Sequence, residues 1–401
     1  MKISTISKRI AKLSINAQQL YLLLFSAYLL ASFIATTAFM QYFTYNSINH
    51  FIYVIAIGVL VKIFLMDGLS FWQLVIESFF LFLAFISWRS SHLNQIFLMT
   101  VFILGARNVS FKRIIKLYFY ISCIALTCII TYALLGIIAN YTFHQQGRSI
   151  RYALGIIYPT DLSAHVLFIM LAHCYLHFEK INIRYYLGYS LISVVMLVVT
   201  NGRLSFICEC LMILSCLIAK AATRGYTLSR MVAVCYWMFT PICALTIWLM
   251  SYTFSPHSVL LSRINTALSG RLSLGHQALH NGVTFFGKYI KENGFGGATG
   301  VKLFKNYSIQ KYFFIDSSYL RLFVLYGLLM TVVFIVIMTI IGINATWYRN
   351  YGLLIAVFVL SVNCMFEQHL LEIAYNPFLL SLISIVNESN HLEVKDEKVQ
   401  S

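Results

Sequence analysis

Residues 322–343 read LFVLYGLLMTVVFIVIMTIIGI, an uncharged and almost wholly apolar run that is long enough to cross a bilayer as a helix. Its apolar residues are continuous and do not alternate with period two, as they would in a strand of a membrane barrel. Lipid cannot hydrogen-bond the backbone, so a spanning segment of this kind must be helical. The run predicts a transmembrane helix, and similar runs recur along the chain.

The composition of the whole chain supports this prediction. Of 401 residues, 60% are hydrophobic and only 10% are charged, against roughly 25% charged residues in a soluble domain. We expect one all-α polytopic membrane domain, residues 1–401, with about twelve transmembrane helices. They are predicted at 19–39, 51–66, 71–88, 94–106, 114–139, 162–178, 185–200, 204–221, 230–251, 318–343, 350–366 and 370–387.

The positions of Lys and Arg between these runs predict a topology. Cytoplasmic loops are enriched in these residues, which assigns the basic N-terminus and the segment 107–116 to the cytoplasm. Alternation then leaves residues 140–161 and a long loop, 252–317, outside, and places the tail 388–401 inside. Because the net charge of +16 is distributed between spans, we expect membrane lipids and an anionic substrate as partners, and no nucleic acid.

Arginines at external positions run against the usual charge bias. Arg148 and Arg151 lie in the first external connection, Arg203 lies at the mouth of a span, and Arg263 and Arg271 lie in the long loop. Guanidinium groups stay charged and match phosphate oxygens with paired bonds, so several of them at one membrane surface predict a site for a lipid-anchored pyrophosphate. Each arginine could instead extend to lipid headgroups or pair with a carboxylate.

The long loop also contains LSRINTALSGRLSLGHQALHNGVTFF, residues 261–286, whose spacing predicts amphipathic helices. Two stretches in this region resemble the signature of a known family. They are Ser269-Gly270-Arg271-Leu272-Ser273-Leu274-Gly275 through Phe286-Gly287, and Asp316-Ser317-Ser318-Tyr319-Leu320-Arg321-Leu322 followed by Tyr326-Gly327. The chain resembles Wzy-type polysaccharide polymerases, most closely those of capsule and exopolysaccharide clusters in Gram-positive bacteria. Upstream, Gly155 to Asp161 and Asn201-Gly202-Arg203 are similar to weaker motifs of the same family.

The resemblance implies an inverting glycosyltransferase of the membrane-embedded GT-C type that needs neither a metal nor a cofactor. Such an enzyme polymerises oligosaccharide repeat units carried on undecaprenyl pyrophosphate, at the outer face of the bacterial cytoplasmic membrane. A chain-length regulator and a flippase are its candidate partners. The resemblance also implies that Arg203 and Arg271 stabilise the departing pyrophosphate, and that Arg148 and Arg151 hold a second pyrophosphate or orient sugars.

The remaining candidate residues follow from the same stretches. His276 and His280 come after Arg271 at helical spacing, and either could deprotonate the acceptor hydroxyl, or both could be packing residues at the membrane interface. Arg263, Asp316 and Tyr319 are candidate substrate-binding residues. Asp316 could contact a sugar or pair with an arginine, or it could simply be a carboxylate near the start of the next helix.

Other functions remain open. An O-antigen ligase would share the fold and the arginines and would differ in its acceptor. A flippase or another secondary transporter usually shows internal repeats or broken helices with polar sites at the membrane midplane, and the sequence has no repeat. Transferases that use polyprenyl monophosphates typically have carboxylates in the first external loop, whereas residues 41–50, QYFTYNSINH, contain none.

Overall fold

A computed structural model describes residues 16–144, 149–305 and 312–386 of the chain. The described part is almost entirely helical, and nine of its helices are long and apolar enough to cross a membrane. The predicted all-α, polytopic membrane fold is therefore confirmed. The basic N-terminal residues, Arg148 and the tail 388–401 lie outside the described residues.

The described helices are numbered in chain order, and several continue into a turn of 3-10 or π-helix. They are α1 (Ala17–Ala35), α2 (Tyr45–Val61), α3 (Phe71–Ser91), α4 (Gln95–Gly105), α5 (Phe111–Leu134), α6 (Pro159–His177), α7 (Ile183–Thr200), α8 (Arg203–Thr223), α9 (Thr227–Val234), α10 (Phe239–Tyr252), α11 (Val259–Ala267), α12 (Arg271–His280), α13 (Gly297–Lys305), α14 (Ser318–Arg321), α15 (Leu328–Trp347) and α16 (Tyr351–Asn363). Two short strands, β1 (Thr142–Phe143) and β2 (Arg151–Tyr152), pair antiparallel.

The nine candidate spans do not coincide with all twelve predicted helices. They are α1, α2 with its π-helical turn, α3, α5, α6 with its 3-10 turn, α7, α8, α9 joined to α10, and α15. The spans predicted at 94–106 and 350–366 correspond to α4 and α16, which have only 11 and 13 residues. Both shorter helices are apolar and are buried along most of their length, so they form the centre of the bundle.

The helix predicted at 370–387 is wrong. This part of the chain is irregular apart from two 3-10 turns, His369–Leu371 and Phe378–Leu382. Asn376 stabilises the irregular path, because its side chain donates to the carbonyl of Leu370 at 2.8 Å and accepts from the amide of Phe378 at 3.1 Å. Pro377 follows and has no amide hydrogen to continue a helix. The segment is buried by protein, where non-helical backbone is tolerated at membrane depth.

The helix predicted at 318–343 is interrupted at Gly327, which has a φ of 92°. The loop that precedes α13 inserts into this break. The amides of Leu328 and Leu329 donate to the carbonyls of Thr284 and Phe285, at 3.0 and 3.2 Å. The inserted loop thus satisfies the first amides of α15, which have no partner within the helix.

The described elements form two distinct ends of the bundle. At one end, the backbone of Ile385 forms hydrogen bonds with Val109, in the turn between α4 and α5, and with Phe111, the first residue of α5. The second half of the chain therefore contacts the first half at this end. Nearby, Lys62 donates to the carbonyl oxygens of Gly105 and Arg107. The other end contains a large cavity and is called the cavity end below.

Candidate functional site

The cavity at the cavity end of the bundle has a volume of about 1430 Å³ and is lined by elements from the whole length of the described chain. They include the end of α1, the start of α2, the turn between α3 and α4, the connection before α6, the junction of α7 with α8, residues 265–271, residues 294–296 and 312–316, and residues 367–375. Four arginines and four carboxylates line it: Arg151, Arg203, Arg271 and Arg321, with Asp161, Asp316, Glu367 and Glu372.

A tight turn places Arg203 at the start of α8. Asn201 adopts a left-handed conformation with a φ of 48°, and the amide of Gly202 donates to the hydroxyl of Thr200 at 3.1 Å. A Cβ at Gly202 would lie only 2.9 Å from that hydroxyl, so a larger residue would displace the Thr200 side chain that holds the turn. Arg203 is exposed to the cavity and forms no ion pair with any carboxylate of the described residues.

Arg151 lies beside the same turn. Its Nε donates to the carbonyl of Thr200 at 2.8 Å, and its guanidinium lies 5.2 Å from the ring of Tyr158. The side chain is 9% exposed, and within the part of the chain that the structure describes it has no carboxylate partner. We call Arg151 and Arg203 the arginine corner. Two cations without acidic partners leave this corner positively charged.

Arg271, by contrast, is held by acidic residues. Its Nη2 lies 3.2 Å from the carboxylate of Glu367, and its Nε lies 3.5 Å from that of Asp316. The same Nε donates to the carbonyl of Phe366 at 2.7 Å. Burial opposes the charge of Arg271, but the two carboxylates outweigh it and raise its pKa. This arginine therefore joins the long loop to the segment after α16.

Asp316 is the acidic partner whose charge can change near neutral pH. Burial raises its pKa to about 6, although the neighbouring Arg271 acts in the opposite direction. As the pH falls through about 6, this carboxyl takes up a proton and Arg271 loses one of its two negative partners.

Arg321 is a cavity residue to which the sequence analysis assigned no role. Its Nη1 donates to Glu292 at 2.8 Å and to the carbonyl of Ile315 at 3.2 Å. Its guanidinium also lies 5.1 Å from the ring of Phe314. Arg321 belongs to the stretch after Asp316 that resembles the family signature. Its position at the start of an otherwise apolar helix was the sequence signal that could have identified it.

A second group that the sequence analysis did not identify lies on another wall. His369 donates from Nδ1 to Glu372 at 3.2 Å, and its Nε2 lies 3.7 Å from Asp161. Burial would lower the pKa of His369, but the hydrogen bond and charge of Glu372, together with the charge of Asp161, raise it. We call Asp161, His369 and Glu372 the acidic wall. The imidazole thus lies between two carboxylates, both of which line the cavity.

Several predicted site residues lie elsewhere. Nδ1 of His276 donates to the carbonyl of Ser251 at 2.9 Å, and its Nε2 lies 3.1 Å from that of His280. Tyr319 is 2% exposed and donates to the carbonyl of Ser361, and Arg263 is exposed on α11. None of these four side chains lines the cavity. The structure therefore brings together Arg151, Arg203, Arg271 and Asp316, and leaves His276, His280, Arg263 and Tyr319 outside.

The described residues contain no group of three or more His, Cys, Asp or Glu side chains arranged to hold a metal ion. No protein-family model, curated protein or solved structure matches this chain. The geometry of the cavity and the residues that line it are therefore the basis for a functional proposal.

Proposed function

We propose that the chain is a membrane glycosyltransferase that joins saccharide units carried on a polyprenyl pyrophosphate, as its resemblance to Wzy-type polymerases implies. The observation that carries this proposal is the arginine corner. Two guanidinium groups that have no carboxylate partner among the described residues face a cavity of about 1430 Å³ at one end of a membrane bundle. A lipid-anchored diphosphate would supply the missing negative charge while its chain remains in the bilayer.

The arginine corner would act on the leaving group. When the bond between the anomeric carbon and the pyrophosphate breaks, negative charge grows on the departing oxygen. Arg203 is exposed to the cavity and has no ion pair to give up among the described residues, so it can approach the pyrophosphate directly. Arg151 is fixed by the carbonyl of Thr200 and adds a second, preorganised positive charge. Fixed charges of this kind stabilise a transition state without reorganisation.

Arg271 would contribute differently from what the sequence analysis expected. Two carboxylates already neutralise it, so its electrostatic effect on a leaving group is smaller than that of Arg203. Its contacts with Glu367 and with the carbonyl of Phe366 hold residues 265–271 against the wall of the cavity. We propose that Arg271 mainly shapes the cavity and makes a secondary contact with the pyrophosphate.

The orientation in the membrane is also part of the proposal. Many cations of the described chain lie at the end opposite the cavity: Arg107, Lys112, Arg113, Lys116, Lys180, Arg184, Lys220, Arg224, Arg230 and Arg349. Since cytoplasmic loops are enriched in Lys and Arg, we propose that this end faces the cytoplasm. The cavity then opens at the outer face of a bacterial cytoplasmic membrane, where lipid-linked repeat units are polymerised.

The test is deletion of the protein in its host followed by analysis of lipid-linked saccharides. We expect single repeat units to accumulate on the lipid at the outer face, and Arg203→Ala to behave like the deletion. Arg113→Ala, an exposed arginine at the opposite end, is the matched control and should restore polymer. Activity of the purified protein should persist in a chelator, because the proposed mechanism uses no metal.

Other outcomes would contradict the proposal. Accumulation of the units at the inner face would identify a transporter. Transfer of a finished polymer to a different acceptor, with polymer length unchanged, would identify a ligase. Normal polymer from Arg203→Ala would show that the arginine corner does not bind the pyrophosphate.

A further inference from the structure

The acidic wall has no function in binding a pyrophosphate, because its carboxylates would repel one. Asp161 nevertheless lines the same cavity as the arginine corner. It precedes Ser163 on the first turn of α6, and a Cβ at Gly202 would lie 3.4 Å from the hydroxyl of Ser163. The starts of α6 and α8 are therefore in contact, and a molecule that fills the cavity from the corner can extend to Asp161.

The geometry of His369 indicates that the acidic wall is built for a ligand. His369 is 1% exposed, and its Nε2 has no hydrogen-bond partner among the described residues. This nitrogen lies 3.7 Å from Asp161, which itself lines the cavity. Buried polar atoms in folded proteins normally have a partner. The described residues leave this nitrogen without a hydrogen bond, so a partner in the cavity beside Asp161 would satisfy it.

The ring of His369 cannot easily turn away. It stacks on Tyr375 with ring centres 3.8 Å apart, and Tyr375 stacks in turn on His165 at 4.0 Å. Phe33 covers the other face of His165 at 4.3 Å. Together with the hydrogen bond to Glu372, this stack of four rings fixes the direction in which Nε2 points.

The other carboxylates near the cavity are already engaged. Asp316 and Glu367 both pair with Arg271, and Glu292 pairs with Arg321. The histidines predicted as bases, His276 and His280, lie outside the cavity lining. Among the carboxylates that line the cavity in the described chain, Asp161 is left with one partner, an imidazole beyond ordinary hydrogen-bond distance.

We propose that Asp161 is the catalytic base that deprotonates the acceptor hydroxyl, and that His369, held by Glu372, is a positioning residue that keeps Asp161 ionised and oriented. This inference rests on the proposed glycosyl transfer. The acceptor O–H bond breaks and its proton goes to the Asp161 carboxylate, while the oxygen forms a bond to the anomeric carbon. The bond from that carbon to the pyrophosphate breaks, and its electron pair leaves with the pyrophosphate at the arginine corner. Asp161 then releases the proton to water in the cavity.

The charged and titratable groups that surround Asp161 come from several elements. In the described part of the chain they include the imidazole of His369, three carboxylates and two tyrosine hydroxyls. The carboxylates and the tyrosines are Glu367, Glu372, Asp316, Tyr45 and Tyr375.

The test uses the full chain in liposomes, with the lipid-linked saccharide extracted from a host strain that lacks this protein. We expect Asp161→Asn to lower kcat by about 10²- to 10⁴-fold, the usual contribution of a general base, with KM nearly unchanged. Glu179→Gln is the matched control, because this carboxylate is exposed at the opposite end of the bundle, and its kcat should equal that of the wild type. Asp161→Ala should recover part of its activity in formate, which a purely structural role would not allow.

His369→Gln supplies a second measurement. This change removes a titratable imidazole that faces Asp161 at 3.7 Å, so the pH profile of activity should change. Activity of Asp161→Asn within threefold of the wild type, or an unchanged pH profile for His369→Gln, would overturn the assignment while leaving the proposed transferase intact. Absence of transfer by the wild-type protein would instead refute the proposed function itself.

Discussion

The contrast between Arg203 and Arg271 gives the sharpest prediction. Replacing Arg271 with alanine removes the cation that pairs with Glu367 and Asp316, whose side chains are only 5% and 20% exposed. Breaking a buried ion pair by removing one partner costs about 3–5 kcal/mol. Arg203 is exposed and unpaired among the described residues, so its replacement should change stability by less than about 0.5 kcal/mol.

The assay is thermal unfolding of the purified protein in detergent, combined with binding of undecaprenyl pyrophosphate. Each kcal/mol corresponds to about 2–4 °C in domains of 150–250 residues, and we expect Arg271→Ala to unfold at least about 5 °C below the wild type. Arg203→Ala should unfold at the wild-type temperature and lose about 2–4 kcal/mol of stabilisation of the leaving group.

A triple variant separates charge from packing. Arg271→Met with Asp316→Asn and Glu367→Gln leaves no uncompensated charge, so it should recover part of the lost thermal stability. Equal unfolding temperatures for Arg203→Ala and Arg271→Ala would refute the reasoning, because they would show that the two carboxylates do not need their arginine partner.

Three further predictions follow from other contacts. The pKa of Asp316 is about 6, so this carboxylate loses its charge as the pH falls from 7 to 5, and the affinity of the wild-type protein for undecaprenyl pyrophosphate should rise. Asp316→Asn should bind the lipid about tenfold more tightly than the wild type at pH 7.5. It is the control for titration of the lipid itself, because its affinity should lack the part of the pH dependence that comes from Asp316. Gly287→Ala should lower the unfolding temperature far more than Gly136→Ala, since both glycines have positive φ but only a Cβ at Gly287 would overlap a backbone carbonyl; equal effects would mean that backbone strain alone matters. Lys62 is fully buried and pairs with Asp67, so Lys62→Met should destabilise the protein by about 3–5 kcal/mol. Adding Asp67→Asn to this variant should restore part of the lost stability. If the double variant unfolds at the same temperature as Lys62→Met, the two charges are independent.

Apolar runs predicted the long helices well, because the bilayer demands length and helical backbone from any span that faces lipid. They failed at 370–387, where the run is equally apolar but is buried by protein, so that irregular backbone is permitted. The Asn376-Pro377 pair was a signal for a turn that the apolar composition obscured. The break at Gly327 depends on the insertion of a distant loop, and no local pattern reveals such a contact.

The part of the site that consists of charged residues at the ends of spans was predictable from the sequence. Arg151, Arg203, Arg271 and Asp316 converge because they lie in connections and helix starts at one end of the bundle. His276 and His280 do not line the cavity, and helix geometry explains why they are separated from Arg271. On α12 they follow Arg271 by five and nine residues, which turns them about 140° and 180° around the axis from it. The acidic wall was not predicted, since the irregular segment that positions His369 was expected to be a helix.

For the proposed transfer reaction, the positions of the charges in the cavity matter more than the net charge. When every carboxylate is ionised, the four arginines and four carboxylates that line the cavity cancel formally, which limits the cost of placing them in a membrane protein. The charges are nonetheless separated, because Arg151 and Arg203 have no acidic partner in the part of the chain that the structure describes, whereas Asp161 and Glu372 share one histidine. A field therefore runs across the cavity from the arginine corner to the acidic wall. Such a field favours a reaction in which negative charge moves onto a leaving group at the corner while a proton moves to the wall. Exchanging the two charges, as in Arg203→Glu with Asp161→Arg, should abolish transfer even though the total charge is unchanged.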